Sequence, residues 1–132
     1  MKAGLAIYHI LYNDSDVSST VSDRIYPEIA PEGATIPYIV YSIVSNTPVE
    51  TKEETVIDEA TIELFTVSNK YKNLMTLADK VRSAMDRAQY TSTAAGLEIT
   101  VQSIIYTNEV TEVNQERNTY VAIQDYTMRI KK

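Results

Sequence analysis

Few residues in this chain are of a type that carries catalytic chemistry. His9 is the only histidine among the 132 residues, and there is no cysteine. A Ser-His-Asp arrangement would have to use His9, which lies in an amphipathic pattern beside Tyr8. We interpret it as a surface or core-edge histidine. One histidine without cysteines cannot supply a usual zinc site, and the lack of cysteine excludes disulfides and cysteine nucleophiles.

Clustered carboxylates are the second candidate. Glu50, Glu53, Glu54 and Asp58 could gather a divalent cation if their segment folded back, although such a run is more often a solvated connection. The sequence from Asn13 to Asp16 resembles the start of a calcium loop but lacks the glycine and the final glutamate at EF-hand spacing. The three scattered glycines fit no phosphate-binding loop. We therefore expect no catalytic residue, no metal and no cofactor.

The charge distribution argues against binding of nucleic acid through its phosphates. The net charge is −6, which is unfavourable for binding phosphates. Basic residues do cluster at Lys70, Lys72, Lys80, Arg82 and Arg87. Because Asp79 and Asp86 interleave with them, we interpret this cluster as a mixed-charge solvent face. The segment from Glu50 to Glu63 holds six carboxylates and one lysine, so much of the net charge lies in one connection and one strand start.

The stretch from Thr55 to Gln89 is expected to form a strand followed by a helix, and the other elements should pack on this unit. Its first part alternates, and the side bearing Ala60, Ile62 and Leu64 should face the core. The period then changes to that of an amphipathic helix, with Ser68 or Asn69 as the expected N-cap. The expected helix stripe comprises Leu74, Leu77, Ala78, Val81, Ala84, Met85 and Ala88.

The other elements follow from similar signals. A first helix is expected over 2–13, ended by Asp14-Ser15-Asp16, with Asp16 capping a short turn. The residues around the two prolines and the glycine of 23–34 predict a loop. Strands are expected over 38–45, 97–107 and 119–130, with 91–96 as a linker and 108–118 as a polar turn region.

These elements predict a single domain over 1–132 with an α+β fold. We expect a two-layer sandwich, with one largely antiparallel sheet of about four strands and two helices packed on one face. The second sheet face is half-polar and could dock on a neighbour. No apolar run reaches the ~20 residues of a membrane helix, and the N-terminal segment is interpreted as a helix rather than a signal peptide.

Tyrosine is over-used, with ten tyrosines against one phenylalanine and no tryptophan. Tyrosine combines apolar area with a hydroxyl, which suits surfaces that are buried on assembly but partly wet. Tyr8 and Tyr12 lie four residues apart on the first helix and could stack on a partner or cover the edge of the core.

Taken together, the order of elements resembles a known family. The most telling segments are Arg24-Ile25-Tyr26-Pro27, the strand start Ile36-Pro37-Tyr38-Ile39-Val40-Tyr41, and the strand-to-helix passage from Ile62 to Met85. They are similar to the tail terminator (tail completion, or tail-to-head joining) family of long-tailed phages with non-contractile tails. The resemblance covers nearly all of the chain. Met85 stands where the helix of that family often ends in a leucine.

The resemblance implies a structural protein at the top of the tail in the virion, assembled in the host cytoplasm. Family members form a hexameric ring on the last ring of the tail tube, stop tube growth, and present the surface that joins the head's neck. The implied partners are other copies of the chain, the tail tube protein and a neck or head-completion protein. DNA would pass through the lumen without specific binding. No enzyme activity, cofactor or membrane is implied.

By the same resemblance, two sets of residues are expected at contacts. The loop that reaches the lumen or the tube would contain Glu50, Lys52, Glu53, Glu54 and Asp58. The subunit interface would contain Tyr8, Tyr12, Tyr38, Tyr120 and Tyr126, with strand edges and the first helix nearby.

Two other functions stay open from the sequence. One is a neighbouring part of the virion, such as a neck or head-completion connector or the cap of a contractile tail. The other is a small binding module or an enzyme, with acidic residues holding a ligand or Mg²⁺ in an α+β cleft. The latter would need convergent polar groups with shifted pKa values in one pocket.

Overall fold

The computed structural model describes residues 2–49, 57–94 and 96–131. This part of the chain forms three helices and six strands. The helices are α1 (Lys2–Asn13), α2 (Ser15–Val21) and α3 (Tyr71–Met85). The strands are β1 (Ile25–Pro27), β2 (Tyr38–Pro48), β3 (Ile57–Ser68), β4 (Tyr90–Ala94), β5 (Leu97–Asn114) and β6 (Thr119–Lys131).

The six strands form one mixed sheet in the order β1-β2-β3-β6-β5-β4, curled into a half-barrel. The expected four-stranded sandwich with two helices is therefore wrong. The segment 23–34 was expected to be a loop, but Ile25–Pro27 pairs in parallel with Ile39–Tyr41. The expected linker supplies β4, which pairs antiparallel with Leu97–Val101. The third helix is α2, which was expected only as a short turn.

The two central hairpins follow the expected pattern. β2 pairs antiparallel with β3, β5 pairs antiparallel with β6, and α3 crosses between the two hairpins. The second hairpin is longer than expected, because pairing continues to Asn114 opposite Thr119. Only residues 115–118 form the turn, so the polar stretch that was expected to be a turn region is mostly strand.

Both expected caps are displaced. Asp14, rather than Asp16, caps α2, since its carboxylate accepts from the amides of Asp16 at 3.0 Å and Val17 at 3.1 Å. The N-cap of α3 is Lys70, one or two residues after the expected Ser68 or Asn69. Ser68 still contributes, because its hydroxyl lies 3.5 Å from the Lys70 amide.

The core lies between the helices and the sheet face they cover. Ala60, Ile62 and Leu64 are fully buried there, as their alternation predicted. The helix stripe is also confirmed at its centre, where Leu74, Leu77, Ala78, Val81 and Met85 are buried. The opposite sheet face carries no helix in the described part of the chain, and we call it the helix-free face.

Candidate assembly surfaces

Among the residues that the structure describes, those of catalytic type are not gathered into a site. His9 is half-buried on α1, and its ring stacks against Tyr90 at 6.3 Å with an interplanar angle of 8°. Within 2–49, 57–94 and 96–131, no three His, Asp or Glu side chains are placed to share a metal ion.

The helix-free face carries one apolar row that crosses five strands. Strand register aligns Tyr26 with Val40, Val40 with Phe65, Phe65 with Ile123, and Ile123 with Val110. Val40 is buried, whereas Val110 keeps 47% of its surface exposed. We call these five residues the apolar row. Cross-strand neighbours of this kind pack on one another, and the row leaves an apolar surface open on one side.

Next to the apolar row, the helix-free face becomes acidic. Register places Ser42, Glu63, Asp125 and Asn108 side by side on four strands. Like charges directly opposite on neighbouring strands repel, and Glu63 and Asp125 form such a pair. One Asp125 oxygen lies 3.5 Å from the Asn108 amide nitrogen, while the other is buried without a hydrogen-bond partner in the described structure. An apolar row and an acidic row thus lie side by side on this face.

Apart from the outer edges of the terminal strands β1 and β4, the described sheet leaves a stretch of β5 and a stretch of β2 open on opposite sides. Beyond Val101, the outer edge of β5 has no strand partner among the described residues. The end of α3 covers its first part, since the Arg87 amide donates to the Ile104 carbonyl and Asp86 accepts from the Tyr106 amide. The stretch 107–114 stays open.

The other open edge is on β2 after Tyr41, where pairing with β1 ends. Glu28 blocks its first residues. The Glu28 carboxylate accepts from the Ser42 hydroxyl at 2.9 Å and from the Ile43 amide at 3.3 Å. Glu28 adopts a left-handed backbone with φ of 63° to do so. An apolar cleft of about 450 Å³, bordered by Leu5 and Ile43, lies beside this edge.

The five tyrosines expected at a subunit interface do not form one patch. Tyr8 and Tyr12 stack on α1 with centroids 5.7 Å apart, and Tyr12 is 45% exposed. Tyr38 lies at the start of β2 beside Tyr26. Tyr120 packs against Tyr71 at the start of α3. These four remain predicted contact residues in three separate places.

Tyr126 differs from the other four because it is fully buried in the monomer. Its hydroxyl donates to Gln124 Oε1 at 2.9 Å. Gln124 Nε2 in turn donates to the Ala78 carbonyl at 3.0 Å and to Glu109 at 2.7 Å. Burial, followed by the nearby Tyr106, raises the pKa of Tyr126 well above its usual range. Its side chain thus links α3 to the sheet and is not available to a partner in this fold.

The expected lumen loop is only partly covered by the described residues. Glu50, Lys52, Glu53 and Glu54 lie outside them. Asp58 is described at the start of β3, opposite Pro48 and Ile130, where one of its oxygens lies 3.4 Å from the Asn46 side-chain nitrogen. The assignment of this loop to the lumen stays a prediction.

The expected basic cluster is divided between two places. Lys72 and Lys80 line a cleft of about 450 Å³ between α2 and α3. Arg82 points elsewhere, and its guanidinium lies 3.8 Å from the centroid of the Tyr106 ring. Such a cation–π contact stabilises the end of α3 against β5. The interpretation of the cluster as a single solvent face missed the cleft, since α2 was not expected as a helix.

Comparison with known proteins identifies the family of this chain. The family model described as tail completion protein gp17 matches residues 5–131. The chain belongs to this tail completion family. A comparison with curated proteins gave no match.

Two solved structures share the fold. A chain from the virion of a native gene transfer agent particle superposes with a TM-score of 0.74 at 13% identity, covering 98% of this chain and 94% of that one. A second structure, whose name describes no function, gives a TM-score of 0.58 at 7% identity and covers 100% and 96%. Both likenesses concern the fold alone.

Family membership confirms the coarser part of the resemblance seen in the sequence. The protein is a structural component of a phage tail and assembles with other virion proteins. Its place is accordingly the virion. Among the described helices, none is long and apolar enough to cross a membrane. The family points to a structural rather than an enzymatic role.

Proposed function

We propose that this tail completion protein forms a ring, expected to be hexameric, that caps the tail tube of a long non-contractile tail. The ring ends tube polymerisation and provides the surface that joins the tail to the head-neck. Its partners are further copies of the chain, the tail tube protein below and a neck or head-completion protein above. The chain from the gene transfer agent virion, which shares the fold, supports a place inside such a particle.

The observation that carries the ring is the pair of open strand edges. The stretch 44–48 of β2 and the stretch 107–114 of β5 lie on opposite sides of the sheet and differ in sequence. Two different surfaces that bind each other make a head-to-tail contact, and such a contact generates a closed ring when its rotation closes. An open edge also offers unpaired amides and carbonyls to a neighbouring strand.

Charge supports the passage of DNA through this ring. The segment from Glu50 to Glu63 is strongly acidic, and Glu63 and Asp125 add one acidic row to the helix-free face. We place the segment from Glu50 to Asp58 at the rim of the ring, where it reaches the lumen or the tube. A negative lumen repels the phosphate backbone, so the genome would slide instead of binding.

The test is the mass of the purified protein by light scattering, alone and after mixing with short tail tubes. We expect either a ring in solution or a monomer that binds tube ends and fixes the tube length seen by electron microscopy. A protein that stays monomeric and leaves tube growth unchanged would refute the proposal. If it instead co-purifies with a portal-side adaptor and never with tubes, it is a neck connector.

A further inference from the structure

The apolar cleft beside the open edge of β2 lies where one more strand would continue the sheet. β1 accompanies β2 only as far as Pro27, which pairs with Tyr41. Past this point no described strand runs along the outer side of β2, and the cleft of about 450 Å³ is lined there by Ile43 and Asn46 of β2 and by Leu5 of α1. A strand in this space would extend the sheet and direct alternate side chains towards α1.

β5 carries a stretch that is free to enter such a space. Residues 107–114 have no partner on their outer side among the described residues, since β4 pairs only with residues 97–101. Val110 and Val113 on this stretch are exposed, and so is Val44 on the open edge of β2. Two open edges that both carry exposed apolar side chains gain by covering one another, because burial of apolar area is favourable.

The strand directions favour antiparallel pairing of the two edges. The pairs β2–β3, β3–β6 and β6–β5 are all antiparallel, so β5 runs opposite to β2 within one subunit. In a ring whose subunits all turn the same sheet face inward, β5 of one copy therefore meets β2 of the next in the antiparallel sense. Residues opposite each other in antiparallel strands point to the same face, so the helix-covered faces of the two copies become continuous.

The two open stretches are offset along the strands by an amount that suits a closed ring. Thr111 lies on the row of Thr66, whereas Asn46 pairs with Ala60, six residues away on β3. Six residues correspond to about 20 Å along a strand, and the four strands from β2 to β5 repeat every ~19 Å across the sheet. Pairing of Asn46 with Thr111 then inclines the strands by roughly 45° to the ring axis, a tilt that occurs in closed barrels. Strand tilt thus absorbs the offset, and the contact can close.

We propose that residues 107–114 of one copy add to the β2 edge of the next copy, with Thr111 opposite Asn46 and Val113 in the cleft. The inference rests on the proposed ring, because it names what fills the cleft at the contact between subunits. Val113 is two residues from Thr111 and shares its face, so it packs between Leu5 and Ile43 of the neighbouring copy. The cleft then becomes part of a core that two subunits share.

Charge at the end of the added strand supports this register. Arg117 lies in the turn that follows the stretch, and its amide donates to Asn114 Oδ1 at 3.3 Å. In the proposed register Asn114 lies opposite Ile43, whose amide donates to the Glu28 carboxylate. The guanidinium of Arg117 therefore comes within reach of Glu28 of the neighbouring copy. An exposed pair of opposite charges contributes little affinity, but it selects the orientation in which the strand enters.

The first experiment uses an engineered disulfide, since the chain has no cysteine of its own. Asn46→Cys and Thr111→Cys lie roughly 24 Å apart in one chain by strand spacing and rise, so they cannot bridge within a subunit. On oxidation, this variant should form covalent multimers up to the size of the ring. The matched control, Asn46→Cys with Ser92→Cys on β4, should form nothing beyond a dimer. A ring in light scattering without this cross-link would overturn the inference and leave the proposed ring standing.

The second experiment tests the contact without a ring. A labelled peptide with the sequence of residues 107–117 should bind the full-length protein. Val113→Asp in the peptide should weaken binding at least about tenfold, because it removes an apolar side chain from the cleft. Glu112→Gln, on the other face of the strand, is the matched control and should bind as the native peptide does. Equal affinity of the Val113→Asp peptide would show that Val113 does not enter the cleft.

The two experiments together separate the inference from the proposed function. The cross-link decides the question where a ring forms, and the peptide decides it where the protein stays monomeric. If the peptide binds as expected but no ring forms alone or on tubes, the proposed function fails while the cleft keeps its assigned occupant. If neither the cross-link nor the peptide complex forms, the inference is refuted.

Discussion

The buried hydroxyl of Tyr126 gives a prediction whose size follows from the structure. Tyr126 and Gln124 are both 0% exposed, and the hydroxyl donates to Gln124 Oε1. Tyr126→Phe keeps the ring in place but leaves that oxygen buried without its donor. An unsatisfied buried acceptor costs about 1–3 kcal/mol, which lowers the unfolding midpoint by roughly 3–4 °C per kcal/mol in a domain of this size.

A double-mutant cycle separates this hydrogen bond from general packing. Gln124→Leu alone deprives the Tyr126 hydroxyl of its acceptor and Glu109 of a donor, and should cost about 2–4 kcal/mol. When Tyr126→Phe is added, no orphaned hydroxyl is left, so the double variant should cost about 1–2 kcal/mol less than the sum. Urea unfolding followed by circular dichroism measures each free energy. Tyr12→Phe, at an exposed position, is the control and should change stability by less than about 0.5 kcal/mol. Simple additivity of the two effects would refute the reasoning.

Three further predictions concern pH, a helix cap and assembly. The pKa of Tyr126 is raised above its ordinary value of 10.0, so the unfolded chain releases the phenolic proton at lower pH than the folded chain does. The stabilisation from Tyr126 is therefore complete below about pH 10 and is lost as the pH rises further. Thermal midpoints should fall above that pH, and an equal fall in Tyr126→Phe would contradict this cause. Asp14→Ala removes the acceptor of two α2 amides and should cost about 1 kcal/mol in chemical unfolding, whereas a similar loss in the exposed control Ser19→Ala would argue against capping. Val110→Lys places a charge on the apolar row and should reduce the ring fraction in light scattering. Leu97→Lys, at a position that is 41% exposed and lies outside both open edge stretches, should not; equal effects would count against the helix-free face as a contact.

Local periodicity was enough to predict the centre of the fold. The alternation around Ile62 and the helical stripe through Leu77 depend only on neighbours in the sequence, and both proved to be core. The edge strands were missed for a physical reason. β1 has three residues, ends in a proline and pairs in parallel with β2, so its partner is set by tertiary packing. β4 consists largely of small polar residues whose strand character depends on pairing with β5.

The candidate surfaces were only partly predictable. The sequence showed that the second sheet face is mixed, yet it could not show that Tyr26, Phe65 and Val110 fall on one line. That alignment depends on register across five strands, and two irregularities in the β5–β6 pairing shift it. Tyr126 shows that residue type alone can also mislead. A tyrosine suits an interface, but the strand register directs the Tyr126 side chain toward α3.

Each open strand edge is partly covered by side chains, and this cover affects when assembly can occur. Glu28 holds a left-handed backbone that is unfavourable for a residue with a side chain, and in return its carboxylate covers the first residues of the β2 edge. At the other side, Asp86 and Arg87 cover the first residues of the β5 edge. In both cases the cover stops after a few residues, so a short stretch stays open to a strand from a partner. Partial cover of this kind opposes indiscriminate edge-to-edge aggregation while leaving room for one specific neighbour. It is therefore compatible with a chain that remains soluble as a monomer and closes into a ring when other contacts, such as those of the apolar row, add to the edges.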